Sequence, residues 1–189
     1  MTQIMERLQT IADMVIPGEA MADIGADHAL LAIYMAENNL VDRVVVGELG
    51  DGPYHRALRA VQGSAAAAKI DVRQGDGLQV LKNREVSTVV LAGMGGDTIV
   101  DILAHDWRKA AGFKRYVFQP MSKAGVLRRR LSEQGWQIVR EELVEENGRI
   151  FLVIASEPGN TPYYLSNLEA EIGVTILCGD TRLKQRYIK

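Results

Sequence analysis

Apolar residues Ile4, Leu8, Ile11 and Val15 recur at helical spacing, and Pro17-Gly18 ends that helix. From residue 20 the pattern switches to short apolar runs separated by longer amphipathic spacers. Runs at 20–24, 43–48, 69–73, 88–92 and 116–118 are predicted strands, and segments 29–38, 53–62, 98–104 and 123–134 predicted helices. Strands this apolar need cover on both faces, and their alternation with helices predicts a parallel sheet with right-handed crossovers. After Trp136 the rhythm changes. Two strand-like runs, 137–145 and 149–156, flank Asn147-Gly148, a pair that tolerates positive φ at both turn positions and so predicts a hairpin. The stretch 161–189 is predicted helical, with a break near Gly173 or Gly179.

The 189 residues fit one domain with a short appendage, and 47% hydrophobic residues suffice for a single core. Cys178 is the only cysteine, which excludes a disulfide framework and a cysteine metal cluster and fits a reducing cytoplasm. No apolar run approaches a membrane span, and residues 1–16 mix charges with apolar positions as a helix does and a secretory signal does not. The expectation is a cytoplasmic α/β protein without metal or membrane association. The sequence does not settle the oligomeric state, with a monomer the favoured reading.

The turn after the first predicted strand reads Asp23-Ile24-Gly25-Ala26-Asp27-His28. Open α/β sheets bind ligands outside the carboxyl ends of their strands, and a glycine there lets the backbone approach a ligand closely. Gly25 stands alone, whereas the dinucleotide fingerprint places three glycines around a pyrophosphate. A cofactor without a pyrophosphate, such as S-adenosyl-L-methionine, suits this turn. Glu48 ends the second strand, where a carboxylate can accept both ribose hydroxyls of an adenosine. Asp76, between Gly75 and Gly77, could accept the exocyclic amine of adenine. The fourth strand leads into Gly93-Met94-Gly95-Gly96-Asp97, which bares backbone amides at a helix start, and the fifth into Gln119-Pro120.

Each feature has an ordinary structural explanation: a solvated acid, a tight turn or a helix cap. Their convergence on one sheet edge selects the functional reading. No Ser-His-Asp order, metal-ligand spacing or phosphate-binding P-loop is present, which sets aside hydrolase and NTPase chemistry. A net charge of −2 gives no whole-chain case for a nucleic-acid partner. Locally, however, Arg108, Lys109, Lys114, Arg115, Lys123, Arg128, Arg129 and Arg130 form a basic belt without an acid between them, interleaved with Trp107, Phe113, Tyr116 and Phe118. A charge run is usually a solvated helix face. Beside an adenosine-type site it points instead to nucleic acid.

Taken together, Asp23-Ile24-Gly25-Ala26-Asp27-His28-Ala29, Gly52-Pro53 behind Glu48, Gly75-Asp76-Gly77-Leu78, Ala92-Gly93-Met94-Gly95-Gly96 and Gln119-Pro120 resemble the bacterial tRNA adenine-N1 methyltransferases of the TrmK type, over residues 1 to about 160. The resemblance implies a Rossmann-like class I methyltransferase domain over 1–160, with a seven-stranded, mostly parallel sheet and an antiparallel C-terminal hairpin. It implies S-adenosyl-L-methionine as cofactor, tRNA as substrate, and a helical C-terminal domain that helps to dock it, of which 161–189 would be a shortened remnant. The family's aromatic and proline after the Asp-His-Ala run are replaced by Leu30, Leu31 and Ala32.

On this reading Asp23, Gly25, Glu48, Asp76, Gly77 and Gly93 hold the cofactor. Asp27, supported by His28, stabilises the cationic product, while Met94, Gly95 and Gln119 position the target base. Three competing readings remain open: a methyltransferase of a small molecule or protein, a Rossmann-like binding domain without catalysis, and a nicotinamide-dependent dehydrogenase.

Overall fold

The computed structural model describes residues 4–178 and 182–188. The chain runs α1 (Glu6–Ala12), β1 (Met21–Ile24), α2 (Leu30–Glu37), β2 (Val44–Glu48), α3 (Asp51–Gln62), β3 (Ile70–Gln74), β4 (Thr88–Met94), α4 (Gly96–Ala104), α5 (Trp107–Ala110), β5 (Arg115–Pro120) and α6 (Ala124–Glu133). It continues through β6 (Gln137–Glu146), β7 (Arg149–Glu157), α7 (Asn167–Ile172), α8 (Val174–Cys178) and α9 (Arg182–Tyr187). The strands form one seven-stranded sheet in the order β3-β2-β1-β4-β5-β7-β6. β1 to β5 are mutually parallel, and β7 lies antiparallel between β5 and β6. Asn147 and Gly148 join the hairpin with φ of 51° and 76°, the two left-handed positions that their side chains predict.

The apolar runs serve two cores. Val44 and Val46 face one cluster with Ile11, Met35, Val90 and Val117, while Val45 faces the other with Leu91, Ile99, Phe118 and Leu127. Successive strand residues point to opposite faces, so only continuously apolar strands satisfy helices on both sides. The order reverses between β1 and β4, which opens a crevice at their carboxyl ends.

The hairpin extends past that edge. β5 pairs with β7 as far as Phe118 opposite Ile154, whereas β6 and β7 stay paired to Glu146 opposite Arg149. Arg7 of α1 braces one face of this projection: its guanidinium lies 5.1 Å from the Phe151 ring centre and its Nε lies 3.5 Å from Glu146. On α9, Arg186 pairs with Glu145 at 2.6 Å.

The C-terminal helices are tied to this body by Arg128, which was expected in the exposed basic belt. Its side chain is only 1% exposed. Nε donates to Glu141 Oε1 at 2.7 Å, and the two terminal nitrogens donate to the carbonyls of Ala170, Glu171 and Ile172 at 2.9 to 3.1 Å. The guanidinium thus caps the unsatisfied carbonyls ending α7. The predicted break at Gly173 is present, with φ of 98°, and a Cβ there would lie 2.4 Å from Glu141 Oε2. Gly179 lies outside the described residues. At its other end α7 carries a reciprocal cap between Ser166 and Glu169.

Removing one member of a buried pair strands the other charge. Arg128→Ala is therefore expected to lower unfolding stability by about 3–5 kcal/mol. Arg128→Met combined with Glu141→Leu strands no charge but still uncaps the three carbonyls, so it should recover only part of that loss. Denaturant unfolding of the two variants checks the difference.

Candidate active site

β1 and β2 end side by side, Ile24 opposite Gly47. The chain then turns through Gly25, Asp27 and Ala29 with φ of 76°, 52° and 53°. The left-handed backbone at Gly25 favours glycine, and a Cβ there would sit 3.0 Å from Met94 Cε, so Met94 would have to shift. The side chain of Met94, at the end of β4, thus lies against the β1 turn. The amide of Asp27 donates to Glu48 Oε1, which fastens the turn across the strand ends.

A cavity of about 730 Å³ opens at this edge and follows the flank of α4. Gly25, Glu48, Asp76, Gly77 and Met94 line it, so five of the eleven residues assigned to cofactor or base contact border one space. Leu49, Gly50, Pro53 and Gln79 complete the near wall. Thr98, Asp101, Ile102 and His105 form the far wall, and Gln79 Nε2 reaches His105 Nε2 at 2.8 Å across it. Sequence reasoning missed this wall, although the 98-101-102-105 spacing is that of one helix face.

Asp23 does not border the cavity; it is buried in β1, 5% exposed. Burial, and secondarily the charge of Glu48, pushes its carboxyl up to about 7. Glu48 is also raised, chiefly by burial, against the opposing hydrogen bond from the Asp27 amide. Among the described residues Asp23 has no cationic partner.

Asp27 and His28 stand outside the cavity. The Asp27 carboxylate accepts from Arg56 of α3, Nε at 2.8 Å and Nη2 at 2.6 Å, with His28 Nε2 at 3.5 Å. Its charge is thus matched by Arg56, and the pair joins the β1 turn to α3. Nothing in the local sequence points to Arg56, which lies 29 residues away.

Gln119 is fully buried, so its expected contact with a base is not made by an exposed amide. Oε1 accepts from Arg7 Nη1 at 2.8 Å, and Nε2 donates to the Pro120 carbonyl at 3.3 Å. Gly93 (φ 76°) and Gly95 do not border the cavity either. The helix amides behind them are occupied: Gly96 donates to the Ser122 carbonyl at 2.8 Å, while Asp97 accepts from its own amide and that of Thr98. Lys123, paired with Asp97, holds that carboxyl below its ordinary range.

The basic belt divides because a strand and a helix carry its members to opposite ends. Lys114 and Arg115 enter β5 at the amino edge, away from the cleft, and pair with Glu19 and Glu157 at 2.5 Å. Arg128 is buried. Arg129 and Arg130 pair with Glu171 and Glu133 along α6. Arg108 is exposed on α5, Lys109 reaches the far end of the cavity, and Lys123 stays at the carboxyl edge. The expected continuous belt is therefore not one surface.

The site fits S-adenosyl-L-methionine on its own geometry. The cavity is of ligand size, the Gly25 turn leaves no Cβ in the way, Glu48 and Asp76 offer acceptors, and Asp23 with Glu48 forms a buried carboxylate pair that favours an ammonium nearby.

Asp23 takes its proton near 7 when folded, against 3.8 ordinarily. The folded chain binds the extra proton between these values, so this contribution to stability is lost as pH rises through about 7. Asp23→Asn should therefore gain thermal stability relative to the parent as the medium moves from about pH 5 to about pH 9. Melting curves across that range check it; a pH-independent difference contradicts the raised carboxyl.

Residues 4–154 match the family model described as a methyltransferase domain. The chain is 35% identical over 174 residues to the tRNA (adenine(22)-N(1))-methyltransferase of Bacillus subtilis, covering 92% of this chain and 73% of that one. A Streptococcus pneumoniae crystal structure in complex with S-adenosyl-L-methionine superposes with a TM-score of 0.92 at 31% identity, covering 98% of this chain and 87% of that one. The M. capricolum TrmK structure with S-adenosyl-homocysteine superposes at 0.85 with 26% identity, over 98% and 82% of the two chains. With this sheet order, this cavity and these relatives, the chain belongs to the tRNA (adenine(22)-N(1))-methyltransferase family.

Proposed function

We propose that this chain transfers the methyl group of S-adenosyl-L-methionine to N1 of an adenine in tRNA. The observation that carries the reading is the strand-end cavity bordered by Gly25, Glu48, Asp76 and Met94, in a chain whose relatives are named for that reaction.

Adenine N1 carries an in-plane lone pair, so no general base has to create the nucleophile. Alignment then accounts for most of the rate, a contribution of up to about 7–11 kcal/mol. The cofactor, when bound, supplies an electrophilic methyl group on a sulfonium centre. Glu48 is placed to accept the ribose hydroxyls, Asp76 and Gly77 border the adenine end, and Asp23 offsets the amino group from beneath. Met94, packed against Gly25, excludes water between the β1 turn and the target base.

Methylation leaves the base positively charged. Glu48, Asp76 and ionised Asp23 give the cleft a field that favours this charge as it develops. Asp27 holds the turn from which Glu48 is reached, through its amide on Glu48 and its carboxylate on Arg56.

Incubating the chain with labelled cofactor and unmodified bacterial tRNA should yield N1-methyladenosine in the nucleoside digest; no transfer to tRNA overturns the proposal. Asp76→Ala should weaken cofactor binding by roughly 10- to 100-fold, the worth of a hydrogen bond to a charged group. Asp27→Ala should raise the cofactor dissociation constant and leave kcat near normal at saturating cofactor. A fall in kcat with unchanged cofactor affinity would return Asp27 to direct contact with the base.

A further inference from the structure

The loop from Pro120 to Gly125 separates the cavity from a second hollow of about 510 Å³ at the same sheet edge. One wall is this loop, with Met121, Ser122 and Lys123. The opposite wall is the start of the projecting strand, Arg149 to Leu152, and Glu171 and Tyr187 of the C-terminal helices close the end. The two hollows share no lining residue, and the loop between them is tied to the head of α4 by one hydrogen bond, from the Gly96 amide to the Ser122 carbonyl.

Its chemistry is uneven. Lys123 is paired with Asp97, and Glu171 with Arg129, so these charges are largely matched. Arg149 is exposed and has no acidic partner among the described residues. Met121 is 51% exposed, and the half-buried Tyr187 ring lies against the core beneath the groove. A free cation beside exposed apolar groups matches a nucleotide strand, whose phosphates seek charge and whose bases seek apolar faces.

We propose that this groove receives the RNA strand adjoining the target adenine, with Arg149 meeting a backbone phosphate and Met121 and Tyr187 contacting a neighbouring base. The inference rests on tRNA being the substrate. The Ser122 loop follows β5, beside Met94 at the end of β4, so a strand that delivers a base to Met94 and crosses this loop enters the groove. Arg149 and Tyr187 were not singled out by sequence because the belt of cations lies elsewhere in the chain. The fold brings the hairpin tip and α9 to the loop after β5.

The test uses the full chain and unmodified tRNA, with binding measured at several salt concentrations. Arg149→Ala is expected to weaken tRNA binding several-fold and to flatten the slope of log K against log salt by about 0.7–0.9, the signature of one lost phosphate contact. Arg149→Lys should restore the slope, and affinity for S-adenosyl-homocysteine should be unchanged in both. Tyr187→Ala should weaken binding without changing the slope. The groove assignment is overturned if the parent chain methylates tRNA while Arg149→Ala keeps its affinity and slope, or if affinity falls with the slope intact. A parent chain that neither binds nor methylates tRNA overturns the substrate reading itself, and the groove's occupant with it.

Discussion

Asp23 and Glu48 end adjacent parallel strands with their carboxylates largely withdrawn from water, and the rest of the edge is arranged around that pair. Burial raises both carboxyls, and the charge of Glu48 adds to the rise at Asp23. The turn answers with a backbone amide, Asp27 on Glu48, and Arg56 in turn neutralises Asp27. Three residues with positive φ in this turn permit the geometry, and two of them are not glycine. Such backbone is strained and persists where surrounding contacts over-determine it. The arrangement leaves carboxylates poised for a ligand that brings hydroxyl donors and positive charge.

A second constraint ties the far end of the chain to the same edge. Arg128 holds the end of α7 and belongs to α6, whose first turn follows the Ser122 loop. That loop receives the Gly96 amide at the head of α4. The C-terminal helices and the glycine-rich loop are therefore linked by one helix and one hydrogen bond. A buried ion pair is a poor source of net stability. Here the guanidinium also satisfies three helix-terminal carbonyls, which a hydrophobic replacement could not do.

Much of the fold was legible in the residues. The five apolar runs became β1 to β5, and Asn147-Gly148 became the hairpin turn, because strand periodicity and turn chemistry are local. Element ends were less so: β4 extends through a bulge to Met94, and the short α5 carries no periodic signal. At the site, Gly25, Glu48, Asp76 and Gly77 were legible because strand ends in a parallel sheet converge by topology. Gln119 was placed at the correct edge and misjudged in exposure, since Arg7, 112 residues away, covers it.

The sequence by itself determined the alternation of strands and helices, the hairpin, and the set of strand-end acids, since each follows from spacing and from the backbone freedom of single residues. Only the tertiary structure decided which charges are free. Eight cations close together in the chain were divided among the amino edge, the interior and the carboxyl edge, because β5 and α6 run in opposite directions. Electrostatic character depends on burial and on partners distant in sequence, and neither is encoded in local pattern.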